Sequence, residues 1–193
     1  MVVDPLFTAT YLVAGAVRAD YEPLRHPVSS LALGRGGWVQ TANFLCAALL
    51  SSAFAVGLWC AGASPWGALL VGGWAVGLLG AGLFRTDPVA GYLRGTPHLV
   101  RHPTRAGARH DALSLCAFLA LTAACFVFAP SGSPGWAACS VGSGVLFAVT
   151  VALSSAAFDS GRWPAGFGGR FQRISLAIAW IWLAVLAFRA LRA

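Results

Sequence analysis

The chain has 193 residues, 58% hydrophobic and only 10% charged, and its net charge of +7 comes from 13 Arg and no Lys. A soluble domain carries about 25% charged residues, so the polar surface here is too small for a water-soluble globule and a bilayer is the natural solvent. The Arg lie in loops between apolar runs and no nucleic-acid recognition module is visible, which excludes nucleic acid and points to membrane lipids as partners.

Six apolar runs, at 5–17, 39–61, 66–84, 112–129, 135–158 and 171–191, predict an all-α integral membrane protein. The expected architecture is one domain over residues 1–193, a compact bundle of about six transmembrane helices. The first run is shorter than the ~20 residues a spanning helix needs. It lacks a basic leader and a small-residue cleavage site, so it reads as a short first helix and not as a signal peptide. The loop at 18–38 follows, broken by Pro23 and Pro27, with Gly34, Gly36 and Gly37 expected to loosen its end. The second and third runs are joined by a tight uncharged turn at 62–65. Gly73 and Gly77 in the third stand at GxxxG spacing, which predicts a helix-packing face.

The loop at 84–111 comes next. It holds Arg85, Arg94, Arg101, Arg105 and Arg109, with His98, His102 and His110, and Asp87 and Asp111. Beyond it, the fourth run leads through an uncharged turn at 130–134 into the fifth. Ser140, Gly142, Ser143 and Gly144 give the fifth run a second small-residue face. A Gly-rich loop at 159–170 matches neither GxGxxG nor GxxxxGK[ST], so it is not a phosphate cradle. The five Cys sit in or beside apolar runs without a CxxC, as small hydrophobes do. A pairing of Cys60 with Cys139 stays open, and no metal site or identifiable cofactor is expected.

Alternation of six helices places 11 of the 13 Arg on one side, in the loops at 18–38 and 84–111 and around 159–173. The positive-inside rule then predicts a multi-pass plasma-membrane protein with polar loops cytoplasmic and both termini outside.

Four stretches, RHPVSSLALGRGGWVQTANF (25–44), GLFRTDPVAGY (82–92), His110–Asp111 and FQRIS (171–175), together resemble a bacterial membrane family known as domain of unknown function 998. The resemblance runs over nearly the whole chain and implies a compact helical membrane domain without implying a reaction. This copy departs by a short N-terminal segment, and the stretch from His98 to His102 is not part of the pattern.

The motifs also have a direct chemical reading. Pro88 ends the third helix, so Asp87 lies at the interface, either capping or pairing with Arg, or facing a cavity as an acid. His110 and Asp111 are expected to open the fourth helix, where Asp111 favours the macrodipole and His110 titrates near neutrality. His98 and His102 have i,i+4 spacing, but Pro97 and Pro103 flank them and no HExxH is present. Ser29 and Ser30 lack a nucleophile elbow. All four His and five of the six acids fall in the polar loops or at their helix junctions.

That asymmetry predicts a membrane-embedded enzyme or binder for a lipid or isoprenoid-like amphiphile. Asp87, His110 and Asp111 would do acid–base work, and Glu22, Arg25, His26, Arg85, Gln40, Asn43 and Arg173 would hold the substrate. A non-catalytic scaffold is the alternative. A small transporter is the weaker third, because no ionisable group sits clearly mid-span.

Overall fold

An unpaired backbone N–H or C=O in hydrocarbon is costly, and a helix pairs these groups within one segment. Among residues 3–160 and 165–192, which the computed structural model describes, there are six α-helices and no strand. They are α1 (Val3–Ala16), α2 (Trp38–Cys60), α3 (Pro65–Leu83), α4 (Arg105–Phe128), α5 (Pro134–Ser160) and α6 (Gly168–Ala190). α2, α3, α4 and α6, and α5 up to Asp159, are long and apolar enough to cross a membrane, whereas α1 is a shorter apolar helix. The chain is therefore a multi-pass membrane protein with five long apolar helices. Residues 161–164 of the Gly-rich loop, including Arg162 of the arginine-rich side, lie outside the described residues.

Small residues set the helix contacts. A Cβ on Gly77 would overlap Ala117 of α4, and one on Gly80 would overlap Leu113, so α3 and α4 approach closely along this face. Gly82 does the same against Leu45 of α2. The expected GxxxG packing face thus operates inside the bundle. On α5, Gly144 packs on Cys125 of α4, while Gly142 faces open space. The hydroxyl of Ser140 donates to the Cys125 carbonyl (2.8 Å) and accepts from the Trp182 indole (2.8 Å).

Aromatic rings fill the centre. Trp74 meets Trp180 edge-on at 5.5 Å and Phe147 at 6.4 Å, and Phe7 brings α1 against Phe44 and Trp180. Three other Trp residues, Trp38, Trp59 and Trp66, are exposed near helix ends, as interfacial anchors are. The cysteines, Cys60 and Cys139 included, are free.

Two boundaries differ from expectation. α4 begins at Arg105 rather than at 112, because Thr104 is a good N-cap: its hydroxyl accepts from the Gly107 N–H at 3.0 Å. His110 and Asp111 consequently sit inside the helix, not at its opening. α6 begins at Gly168 rather than 171, where absent side chains leave room. A Cβ on Gly168 would meet Phe158, and one on Gly169 would meet the Pro23 and His26 carbonyls.

The polar loops meet at one end of the bundle. The Gly169 and Arg170 N–H groups donate to the Arg25 and Leu24 carbonyls (3.2 and 2.9 Å), and Arg94 pairs with Asp20 at 3.4 Å. The loop after α1 is not a loose lid. Its Val28–Ala32 segment is a fully buried 3-10 turn, and Gly34 and Gly36 adopt φ of 69° and 81° to close it tightly.

Candidate functional site

The polar residues at this end divide into three groups. The first is a closed cluster around Arg173. Its Nη1 donates to the carbonyls of Pro23, His26 and Gly169, and its Nη2 donates to the Tyr21 hydroxyl at 2.5 Å. Tyr21 in turn donates to the Pro27 carbonyl at 3.0 Å. The His26 Nδ1 accepts from the Glu22 N–H at 2.9 Å, and its ring packs on Tyr92 at 5.2 Å. Tyr92 enters the cluster because the central loop coils tightly through residues with positive φ, among them Ala90 at 57° and Leu93 at 69°. Its hydroxyl accepts from Arg18 at 2.9 Å. Burial pushes the Tyr21 phenol up, against the opposing Arg173 charge, and burial pushes the His26 imidazole down. Both side chains are thereby held neutral at physiological pH.

The second group is the Asp87 cap. Its carboxylate oxygens accept from the Thr104 N–H and hydroxyl, both at 2.8 Å, and lie over Gly107. A negative charge at the start of α4 suits the helix dipole. Of the two readings of Asp87, the geometry has it capping.

The third group lines a cavity of about 410 Å³, bounded by α3 to α6, Phe44 of α2 and the buried 3-10 turn. That volume lies in the ordinary range for small-molecule sites, about 300–1,000 Å³. Its interior is apolar, with Phe44, Trp74, Leu78 and Phe118. Its mouth is polar, with His110, Asp111 and Ser114 from α4, Ser155 and Asp159 from α5, and Gln172 from α6. Asp111, Leu115, Ser155 and Asp159 are exposed, so the mouth opens between α4 and α5 on the flank of the bundle. His110 is only 4% exposed, and its Nδ1 stands 3.0 Å from the Phe84 carbonyl. A carbonyl only accepts, so Nδ1 carries the proton and Nε2 is left as an acceptor. Trp74 is 0% exposed, lines the cavity, and its indole N–H has no partner among the described residues.

The predicted site residues therefore do not converge on one place. His110 and Asp111 line the cavity, whereas Asp87 is next to it in sequence through Thr86 but faces the α4 cap. Glu22, Arg25, His26 and Arg173 belong to the loop contacts, Arg25 standing 2.8 Å from the His98 ring. Arg85 is exposed. Gln40 and Asn43 sit at the contact with α1, where Asn43 donates to the Phe7 carbonyl at 3.1 Å. Among the described residues no group of three His, Cys, Asp or Glu comes together as metal ligands.

Sequence reasoning missed Trp74, Ser114, Ser155 and Gln172 at the cavity, and Tyr92 and Thr104 beside it. A signal existed on both walls: Asp111, Ser114, Leu115 and Phe118 share one face of α4, and Val151, Ser154, Ser155 and Phe158 share one face of α5. Hydroxyls recurring at that spacing within apolar helices mark an inward face.

No curated protein and no solved structure matches the chain. One family model does, described as a protein of unknown function (DUF998), and because it matches residues 1–189 the chain belongs to that family.

Proposed function

We propose that the protein is a membrane-embedded binder of a lipid or isoprenoid-like amphiphile. The apolar chain enters from the bilayer between α4 and α5, and the polar head rests at the mouth against His110, Asp111 and Ser114. The observation that carries this reading is the cavity itself: an apolar aromatic interior under a polar mouth. The arginine imbalance supports a cytoplasmic position for this end, in a plasma membrane. In the scaffold alternative the face at Gly73, Gly77 and Gly80 packs on α4 of the same chain, and the α5 face at Gly142 is the one left for a partner.

A catalytic version rests on one further observation. The Phe84 carbonyl accepts from the His110 Nδ1–H, which leaves Nε2 of the neutral ring as the nitrogen a general base would use.

The test is native mass spectrometry of the purified full chain with single-chain amphiphiles of equal length and different heads. Ser114→Phe and Ser155→Phe fill the mouth from half-buried and exposed positions, so the bundle tolerates them. The expected result is a one-to-one adduct in wild type that falls at least tenfold in both variants. Equal adducts in all three proteins would remove the cavity as the site. If binding persists and His110→Gln leaves the recovered amphiphile chemically identical to wild type, the protein binds without catalysis.

A further inference from the structure

We infer that a second lipid site, independent of the cavity, lies between α1 and α2 and takes an anionic phospholipid. A groove of about 590 Å³ runs there. Its walls are apolar, with Ala9, Val13 and Ala14 from α1, Val17 just past its end, and Val39 from α2. At the polar end of the bundle it terminates in two cations, Arg18 and Arg35.

The two arginines are differently held, and the difference suits a phosphate. The Arg18 Nη1 is anchored on the Leu33 carbonyl at 3.0 Å and the Tyr92 hydroxyl at 2.9 Å. Its Nη2 turns toward Gly36 on the groove floor, 3.6 Å from where a Cβ there would stand. Gly36 has a φ of 81°, so the backbone passes under the guanidinium with no side chain in the way. Arg35 is exposed and has no hydrogen-bond partner among the described residues. One anchored and one exposed guanidinium, each a planar fork of donors, match the geometry of a phosphodiester. Trp38, 74% exposed next to them, marks the level of the headgroups. The occupant is thus set by charge complementarity at one end and by acyl-sized apolar walls along the rest.

Native mass spectrometry of the full chain, titrated with phosphatidylglycerol or phosphatidylcholine of identical acyl chains, tests this. Wild type should prefer the anionic lipid, each arginine contributing roughly fivefold. Arg35→Gln should reduce the preference roughly fivefold, and Val13→Trp, which fills the groove from a lipid-exposed position, should abolish it. Ser114→Phe should leave it unchanged, so failure of this site and failure of the cavity are separable. Equal affinity for the two lipids overturns the proposal, as does a preference that survives both groove variants or disappears in Ser114→Phe. Displacement of the lipid by excess inorganic phosphate would also overturn it, since a free anion would then be the ligand.

Discussion

Two polar clusters stand at the same end of this bundle, and they differ in the space left beside them. Around Arg173, the Nη donors have acceptors, and the Tyr21 hydroxyl and His26 Nδ1 have partners supplied by the loops themselves. Around His110, about 410 Å³ is unfilled. Composition does not distinguish them, since both mix aromatics with ionisable groups. The lesson is that unfilled space beside the polar groups, and not their presence, separates a candidate site from a structural cluster.

If the Arg173 cluster is structural, breaking it should have the largest cost in stability. Arg173→Ala orphans the Pro23 carbonyl and leaves that of His26 only the Tyr21 hydroxyl at 3.2 Å, and we expect a loss of about 3 kcal/mol, measured by unfolding in detergent. Loss of ligand binding with unchanged stability would reverse the comparison. Gly169→Ala should follow at about 2 kcal/mol, because the new methyl meets two backbone carbonyls that cannot move cheaply. Asp87→Ala removes the contacts to Thr104 and should cost about 1 kcal/mol through fraying of α4, read as faster amide exchange over 104–108.

A smaller effect concerns pH. Burial lowers the His26 pKa in the folded state from 6.5, so the unfolded chain takes up the proton first as pH falls. Stability should be full above pH 6.5 and decline below it. His26→Asn, which keeps an acceptor near the Glu22 N–H, should flatten that decline. The smallest stability change belongs to the open cluster. Asp111→Asn should shift unfolding by no more than about 0.5 kcal/mol, since no hydrogen bond to Asp111 exists among the described residues. A large destabilisation there would make the cavity mouth structural too.

Much of the fold was legible because apolar run length and turn chemistry are local. The Ser64 cap with Pro65 behind it, and the uncharged turns, place α2, α3 and the start of α5 within a residue of expectation. The start of α4 was missed because hydrophobicity begins at 112, whereas the helix is set by the polar cap at Thr104. The site was half legible. His110 and Asp111 were recognised as polar groups beside an apolar core, and they do line the cavity. Glu22, Arg25, His26 and Arg173 carried the same signature, yet their contacts are to backbone carbonyls and rings of other loops, up to 150 residues away. No local pattern encodes such a partner.

The buried turn at Val28–Ala32 has a consequence for how the protein is made. The Val28 N–H is satisfied by Gln172, 144 residues later, and the Leu24 and Arg25 carbonyls wait for Arg170 and Gly169. At roughly 5–20 residues per second of synthesis, on the order of ten seconds pass before those partners leave the ribosome. Until then the Val28 N–H and the Leu24 and Arg25 carbonyls lack these partners, so the segment stays at the aqueous layer while four helices insert ahead of α6. Docking of an early loop is therefore the closing event of biogenesis. A chain halted before Gly168 would lack both the α6 wall of the cavity and the contacts that seat the turn over it, leaving a half-built bundle with a solvated end that membrane quality control can recognise.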